Sequence, residues 1–198
     1  MGDLSLEVVL FLVLAALVAG FVDAVVGGGG LVQLPALLIG LPGASVVQIA
    51  ATNKLASFCG TSISAATYVR RIRPDPRTFL PLMLAGLVIG FYDGALGPGT
   101  GSFFVFTLVG LLGYNFLEAS AKARMANWAT NLAALAVFVP QGAVIWDLAL
   151  VMAAANVTGG YLGARLAMAR GARFVRAFFL VVVSGFVVRL GGQLLGWW

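Results

Sequence analysis

The sequence has no histidine and a single cysteine, Cys59. Without histidine the chain lacks the commonest metal ligand, proton relay and general base at neutral pH. One thiol excludes an intrachain disulfide and leaves no Cys-based metal site to expect. There is neither a zinc motif nor a nucleophile–base pair, so the sequence points away from an enzyme and calls for no cofactor. Charge is scarce too: 10% of the 198 residues are charged, against roughly 25% in a soluble domain. The alternating pattern of a β-barrel strand is absent. The N-terminus has no basic n-region, carries Asp3 and Glu7, and shows no cleavage site, which argues against a secretory signal.

What is abundant is apolar length. Hydrophobic residues make up 61% of the chain, and several stretches of about 20 residues carry one charge or none, the signature of transmembrane helices. The expected fold class is all-α: a polytopic α-helical membrane protein whose first partner is the lipid bilayer. The net charge of +5 could suggest a nucleic-acid partner, but its distribution argues otherwise. Eight of the twelve basic residues fall in two short segments, Arg70, Arg71, Arg73, Arg77 and Arg165, Arg170, Arg173, Arg176. Such clusters beside apolar spans read as cytoplasmic loops, 70–77 and 165–176.

The apolar block 8–41 is too long for one span: 34 helical residues would reach about 51 Å against a core of about 30 Å. Gly27, Gly28, Gly29 and Gly30 break it, which predicts a helical hairpin with a short second arm ending at Gly40-Leu-Pro-Gly43. A helix over 44–69 follows, with Lys54, Ser57, Thr61 and Ser64 on one face. A polar stripe in a membrane helix is expected to face protein or a water-filled cavity. After the basic loop 70–77 the pattern recurs: a hairpin over 79–113, a polar helix over 116–139, then spans 144–164 and 177–195. Gly159 and Gly163 in the span 144–164 have the spacing of a close helix contact. Glu118 and Lys122, four apart, suggest a helix-surface pair. Trp146, Trp197 and Trp198 fall at span ends, as interfacial anchors do.

The recurrence is a repeat. Residues 14–69 align without a gap on 84–139, with 17 of 56 positions identical, including Asp23/Asp93, Gly27/Gly97 and Gly29/Gly99. The first repeat occupies 1–77 and the second 78–198. If each hairpin returns to its starting side, two crossings separate the basic loops. Both are then cytoplasmic, the N-terminus is outside, and the repeats are inverted. Inverted repeats with broken helices are an architecture of secondary transporters.

Several motifs resemble the TauE/SafE family of membrane transporters, in particular its YfcA-like branch. They are Gly20-Phe-Val-Asp-Ala-Val-Val-Gly-Gly-Gly-Gly30, Ala51-Thr-Asn-Lys-Leu55, and Gly90-Phe-Tyr-Asp-Gly-Ala-Leu-Gly-Pro98 followed by Gly101-Ser-Phe103. The similarity runs on through Val144-Ile-Trp146 and Tyr161-Leu-Gly-Ala-Arg165. The resemblance implies transport of sulfite, sulfonates and related organosulfur anions across the bacterial inner membrane. It also implies two further spans between the first polar helix and the second hairpin, where this chain has only the Arg70–Arg77 loop. A minimal natural member, a homo-oligomer that completes the missing wall and an internally deleted chain are all open readings.

The candidate site follows from the two breaks. Gly27–Gly30, Gly97, Gly99, Thr100 and Gly101 are not a Walker A loop, since no Gly-Lys-Ser/Thr follows. They are close-packing residues or turns whose amides face an anion. Asp23 and Asp93 each precede a basic residue by 31 positions, Lys54 or Arg124. This suggests an ion pair within each repeat, or a carboxylate that couples proton movement to anion binding. Thr52, Asn53, Lys54, Arg124, Asn127 and Asn131 are candidate cavity residues, with interhelical hydrogen bonding as the alternative. The leading expectation is a secondary transporter for a small anion. A passive anion channel and a non-transporting scaffold or oligomer subunit are the alternatives.

Overall fold

A computed structural model describes residues 4–72, 80–84 and 100–194. Asp93, Gly97, Gly99, Trp197 and Trp198 lie outside them, as does most of the first arm of the second hairpin. The regular secondary structure of the described residues is all helix, joined by short turns, with no strand among them.

Helix α1 (Leu6–Val26) is capped by Ser5, whose Oγ accepts from the Val8 amide. It is long and apolar enough to cross a membrane, with a mean hydropathy of 2.7. It ends at Gly27 and Gly28, whose φ of 84° and 85° lie in the left-handed region that glycine tolerates. Helix α2 (Gly30–Gly40) then runs back along α1, so that Gly29 meets Asp23 and Gly40 meets Leu12. The glycine break is a hairpin turn, and its return arm is half the length of its first arm. Helix α3 (Val46–Val69) opens on a reciprocal capping box. The Gln48 amide donates to Ser45 Oγ at 3.2 Å, and the Ser45 amide to Gln48 Oε1 at 3.0 Å.

The second half reproduces these bounds 70 residues on. Helix α4 (Thr100–Gly110) matches α2 at both ends, and α5 (Phe116–Phe138) matches α3, with Asn115 capping it where Ser45 caps α3. Helix α6 (Trp146–Leu194) closes the bundle. Its path turns at Gly171, φ 74°, which divides it into arms over 146–170 and 172–194. The basic segment 165–176 is therefore not a loop: it is helical on both sides of that one glycine. Arginine is a good helix former whose long stem lets the charge reach outward, so a basic segment does not by itself end a helix.

Packing explains the small residues. The first arm of α6 lies parallel to α1. A methyl group at Gly163 would come within 2.6 Å of the Phe21 carbonyl oxygen, and Gly159 sits as tightly on Leu17. Gly160 packs on Gly60 of α3 in the same way. Helices α3 and α5 run antiparallel, because Tyr68 near the end of one and Ser120 near the start of the other bond to successive α1 carbonyls, those of Ala24 and Val25. They cross where Phe58 stacks on Trp128 with centroids 5.6 Å apart and Asn131 Nδ2 donates to Thr61 Oγ1 at 3.4 Å. Both pairs join positions 70 apart. Of the expected polar stripe, Lys54, Thr61 and Ser64 are buried and face protein. Lys122 is also buried, with Nζ 4.7 Å from the centre of the Tyr114 ring, in place of a surface pair with Glu118. Cys59 packs beside an apolar cluster formed by Leu12, Leu37, Leu148 and Met152.

Candidate functional site

Asp23 sits in the last turn and a half of α1, just before the glycine turn. Its carboxylate accepts from Arg124 Nη1 at 2.9 Å, from Asn127 Nδ2 at 3.3 Å to each oxygen, and from the Gly29 amide at 3.3 Å. Arg124 is fully buried on α5. Nη1 also donates to the Asp23 carbonyl, and Nε donates to the Ser120 carbonyl at 3.4 Å. One guanidinium is thereby anchored to both the side chain and the main chain of a single α1 residue. The expected pairing of Asp23 with Lys54 is not what forms. The partner comes from the other repeat, 101 residues away. Sequence spacing places a basic residue on the next helix but does not say which helix faces α1, and the bundle brings α5 there.

The two repeats meet at this pair. The backbone of Gly27 packs directly on Gly101 and Ser102 at the start of α4, and a methyl group at Gly28 would lie 2.7 Å from Ser102 Oγ. A methyl group at Gly101 would lie 3.1 Å from Arg124 Nη2, 3.2 Å from Gly27 Cα and 3.4 Å from Asn127 Nδ2. Glycine at 27 and 101 is what lets turn, helix end and guanidinium converge. Among the described residues, two polar groups at this junction are buried without a hydrogen-bond partner: Arg124 Nη2 and Ser102 Oγ. A buried guanidinium nitrogen without an acceptor is costly. Here it lies beside the amide-bearing start of a helix, where anions are favoured.

Of the residues expected from sequence, Asp23, Gly27, Gly28, Gly29, Gly101, Arg124 and Asn127 come together. Gly30 and Thr100 open α2 and α4 beside them. Thr52, Asn53, Lys54 and Asn131 are also buried. Thr52 Oγ1 accepts the Ile145 amide at 3.2 Å, and Asn131 belongs to the α3–α5 crossing. Two residues at the junction and one outside it are not marked by the sequence. Ser102 and Ser120 look like ordinary small residues until the fold is known. Gln33 is fully buried on α2 and accepts from Asn156 Nδ2 at 2.7 Å, and its Nε2 has no partner among the described residues. A lone Gln and a lone Asn within apolar runs were the available signal. Among the described residues no group of side chains could hold a metal ion.

The model of the sulfite exporter TauE/SafE family matches residues 12–88 and 74–190. The chain is 31% identical over 250 positions to a probable membrane transporter protein, ORF9, of Sinorhizobium, covering 96% of this chain and 95% of that one. It is 30% identical over 247 positions to a probable membrane transporter protein of Haemophilus influenzae, covering 94% of each. It is also 30% identical over 254 positions to the probable membrane transporter protein YfcA of Escherichia coli, covering 96% of this chain and 93% of that one. No solved structure matches significantly. The Sinorhizobium alignment is longer than this chain, 250 positions against 198 residues, so at least 52 of its positions have no counterpart here.

Proposed function

The chain belongs to the TauE/SafE sulfite exporter family of membrane transporters, and from that premise we propose that it is a secondary transporter of a small anion, sulfite or an organosulfonate. It works across the bacterial inner membrane by alternating access. One observation carries the reading: Arg124 Nη2 is fully buried, and unpartnered among the described residues, where the Gly27–Gly28 turn meets the start of α4. Asp23 occupies one side of the guanidinium and leaves the other to a ligand. A sulfite or sulfonate oxygen at Nη2 would complete the fork, with the Ser102 hydroxyl and the first amides of α4 as further donors. The protein is multi-pass, with its N-terminus outside and both basic segments cytoplasmic.

The repeats are inverted. Supporting this, equivalent positions touch at the antiparallel α3–α5 crossing, Phe58 with Trp128 and Thr61 with Asn131. Two segments related by a two-fold axis make such self-equivalent contacts where the axis passes between them. That crossing is the natural pivot for one repeat rocking on the other, and the Asp23–Arg124 pair links the moving parts. The positions missing relative to the Sinorhizobium protein favour a second element of the reading, a homo-oligomer in which a neighbouring copy covers the exposed wall.

Counterflow in proteoliposomes tests the proposal. Internal sulfite or a sulfonate accelerates uptake of the labelled anion, which a channel does not do. Arg124→Gln lowers the rate by about 100-fold, the cost of a lost charge-assisted contact of roughly 3 kcal/mol. Uptake of the labelled anion that is unchanged in Arg124→Gln overturns the assignment of the site. Anion flux without exchange acceleration supports the channel, and no flux of any tested anion from an intact oligomer supports the scaffold.

A further inference from the structure

Away from the glycine turns, a cavity of about 270 Å³ opens between the end of α3 and the first arm of α6. Its wall is Thr67, Arg70, Arg71, Tyr161, Arg165 and Met168. Three of these six are arginines, and none is acidic. Residues from the two basic segments of the sequence, far apart in the chain, thus share one cavity. Arg165 is held in place from within its own helix: Nη1 donates to the Tyr161 hydroxyl at 3.1 Å, and the guanidinium lies 5.4 Å from the centre of that ring. Among the described residues its other donors meet no acceptor, and they remain for a ligand. Arg70 and Arg71 lie at the C-terminal end of α3, where the helix dipole favours a positive charge. The dipole does not use up their directed N–H groups. Three guanidiniums gathered with no carboxylate among the described residues of the wall repel one another, and an anion between them removes that repulsion.

The rest of the wall selects the kind of anion. Met168 and the Tyr161 ring are apolar or aromatic, and the neighbouring Val69 and Leu162 are exposed. An anion joined to a hydrocarbon tail fits this combination better than a free ion does. Arginine-rich ends of membrane helices lie at headgroup depth, where lipid phosphates are concentrated. We propose that this cavity binds a phosphate ester, namely the headgroup of an anionic phospholipid. Arg71 and Arg165 clamp the phosphate, Arg70 supplies a third charge, and the acyl chains leave along Val69 and Leu162. The site is separate from the Arg124 junction, so it stands or falls independently of the transport reading.

Retained lipid, read by native mass spectrometry of the full-length protein in neutral detergent, tests this. The probes are phosphatidylglycerol, phosphatidylcholine with the same acyl chains, and inorganic phosphate. Wild type is expected to retain phosphatidylglycerol with about a tenfold preference over phosphatidylcholine, in keeping with two basic contacts at a membrane surface. The double variant Arg71→Gln/Arg165→Gln loses that preference, whereas Arg173→Gln, which removes a charge outside the cavity, keeps it. Tyr161→Phe, a mild change that frees Arg165 from its tether, reduces the preference even if the double variant does not fold. Equal retention of the two lipids overturns the proposal, as does equal loss in Arg173→Gln. Displacement of phosphatidylglycerol by millimolar inorganic phosphate overturns the lipid assignment and gives the site to a soluble anion.

Discussion

Arg124 is the residue whose surroundings matter most, because a buried guanidinium is tolerated only when opposing charge and acceptors surround it. Asp23 supplies the charge, and Asp23 and Ser120 supply the carbonyls. Removing one partner of such a pair leaves the other charge uncompensated, at a cost of about 3–5 kcal/mol. Asp23→Asn is therefore expected to lower the thermal midpoint markedly. The double variant Asp23→Asn/Arg124→Gln should lose less stability than the two single changes added together, by about 1–3 kcal/mol. Strict additivity would mean that the pair contributes no coupling. The same carboxylate is the candidate for proton coupling: a proton on Asp23 would release Arg124 to hold the transported anion. Proton flux linked to anion movement should disappear in Asp23→Asn, and flux that survives the change removes Asp23 from that role.

Between helices, small residues set the spacing. Gly163 meets the Phe21 carbonyl so closely that a larger side chain must push α1 off α6. Gly163→Val should destabilise by about 1–3 kcal/mol through overpacking. Gly185→Ala, in the second arm of α6 with nothing within 4 Å of an added methyl, should be neutral or slightly stabilising. Thermal midpoints of the two variants check both. This contact was legible in the sequence as a Gly159/Gly163 spacing, and the hairpin turn was legible as four glycines in an apolar block. Both are local patterns, and local sterics fix them. The partner of Asp23 was not legible. A 31-residue spacing pairs residues along the chain, whereas the choice between Lys54 and Arg124 is made by how α5 packs on α1. The helical path of Arg165 and Arg170 is hidden from the sequence for a related reason: charge marks a membrane edge, but only the backbone at Gly171 marks where the helix turns. Gln33 and Asn156 meet across 123 residues, and no periodicity in either segment announces it.

For the molecule as a whole, Arg70, Arg71 and Arg165 line one cavity, which places the end of α3 and Arg165 of α6 at the same end of the bundle. The turn at Gly142 lies one helix length from that end, between α5 and α6. In a Cys59→Ser background, single cysteines at 71 and 165 should react with a membrane-impermeant thiol reagent only when the cytoplasmic face is exposed. One at 142 should react from the opposite face. Opposite-sided labelling of 71 and 165 would rule out the inverted arrangement. The crossed Asp23–Arg124 pair also bears on how the protein is made. Its acid and its base are 101 residues apart, and at about 5–20 residues per second synthesis separates them by roughly 5–20 s. During that interval the first hairpin has left the ribosome, and its carboxyl group lacks its native guanidinium. The final seating of the glycine turn is therefore timed by translation, and a nascent chain stalled before Arg124 cannot complete it.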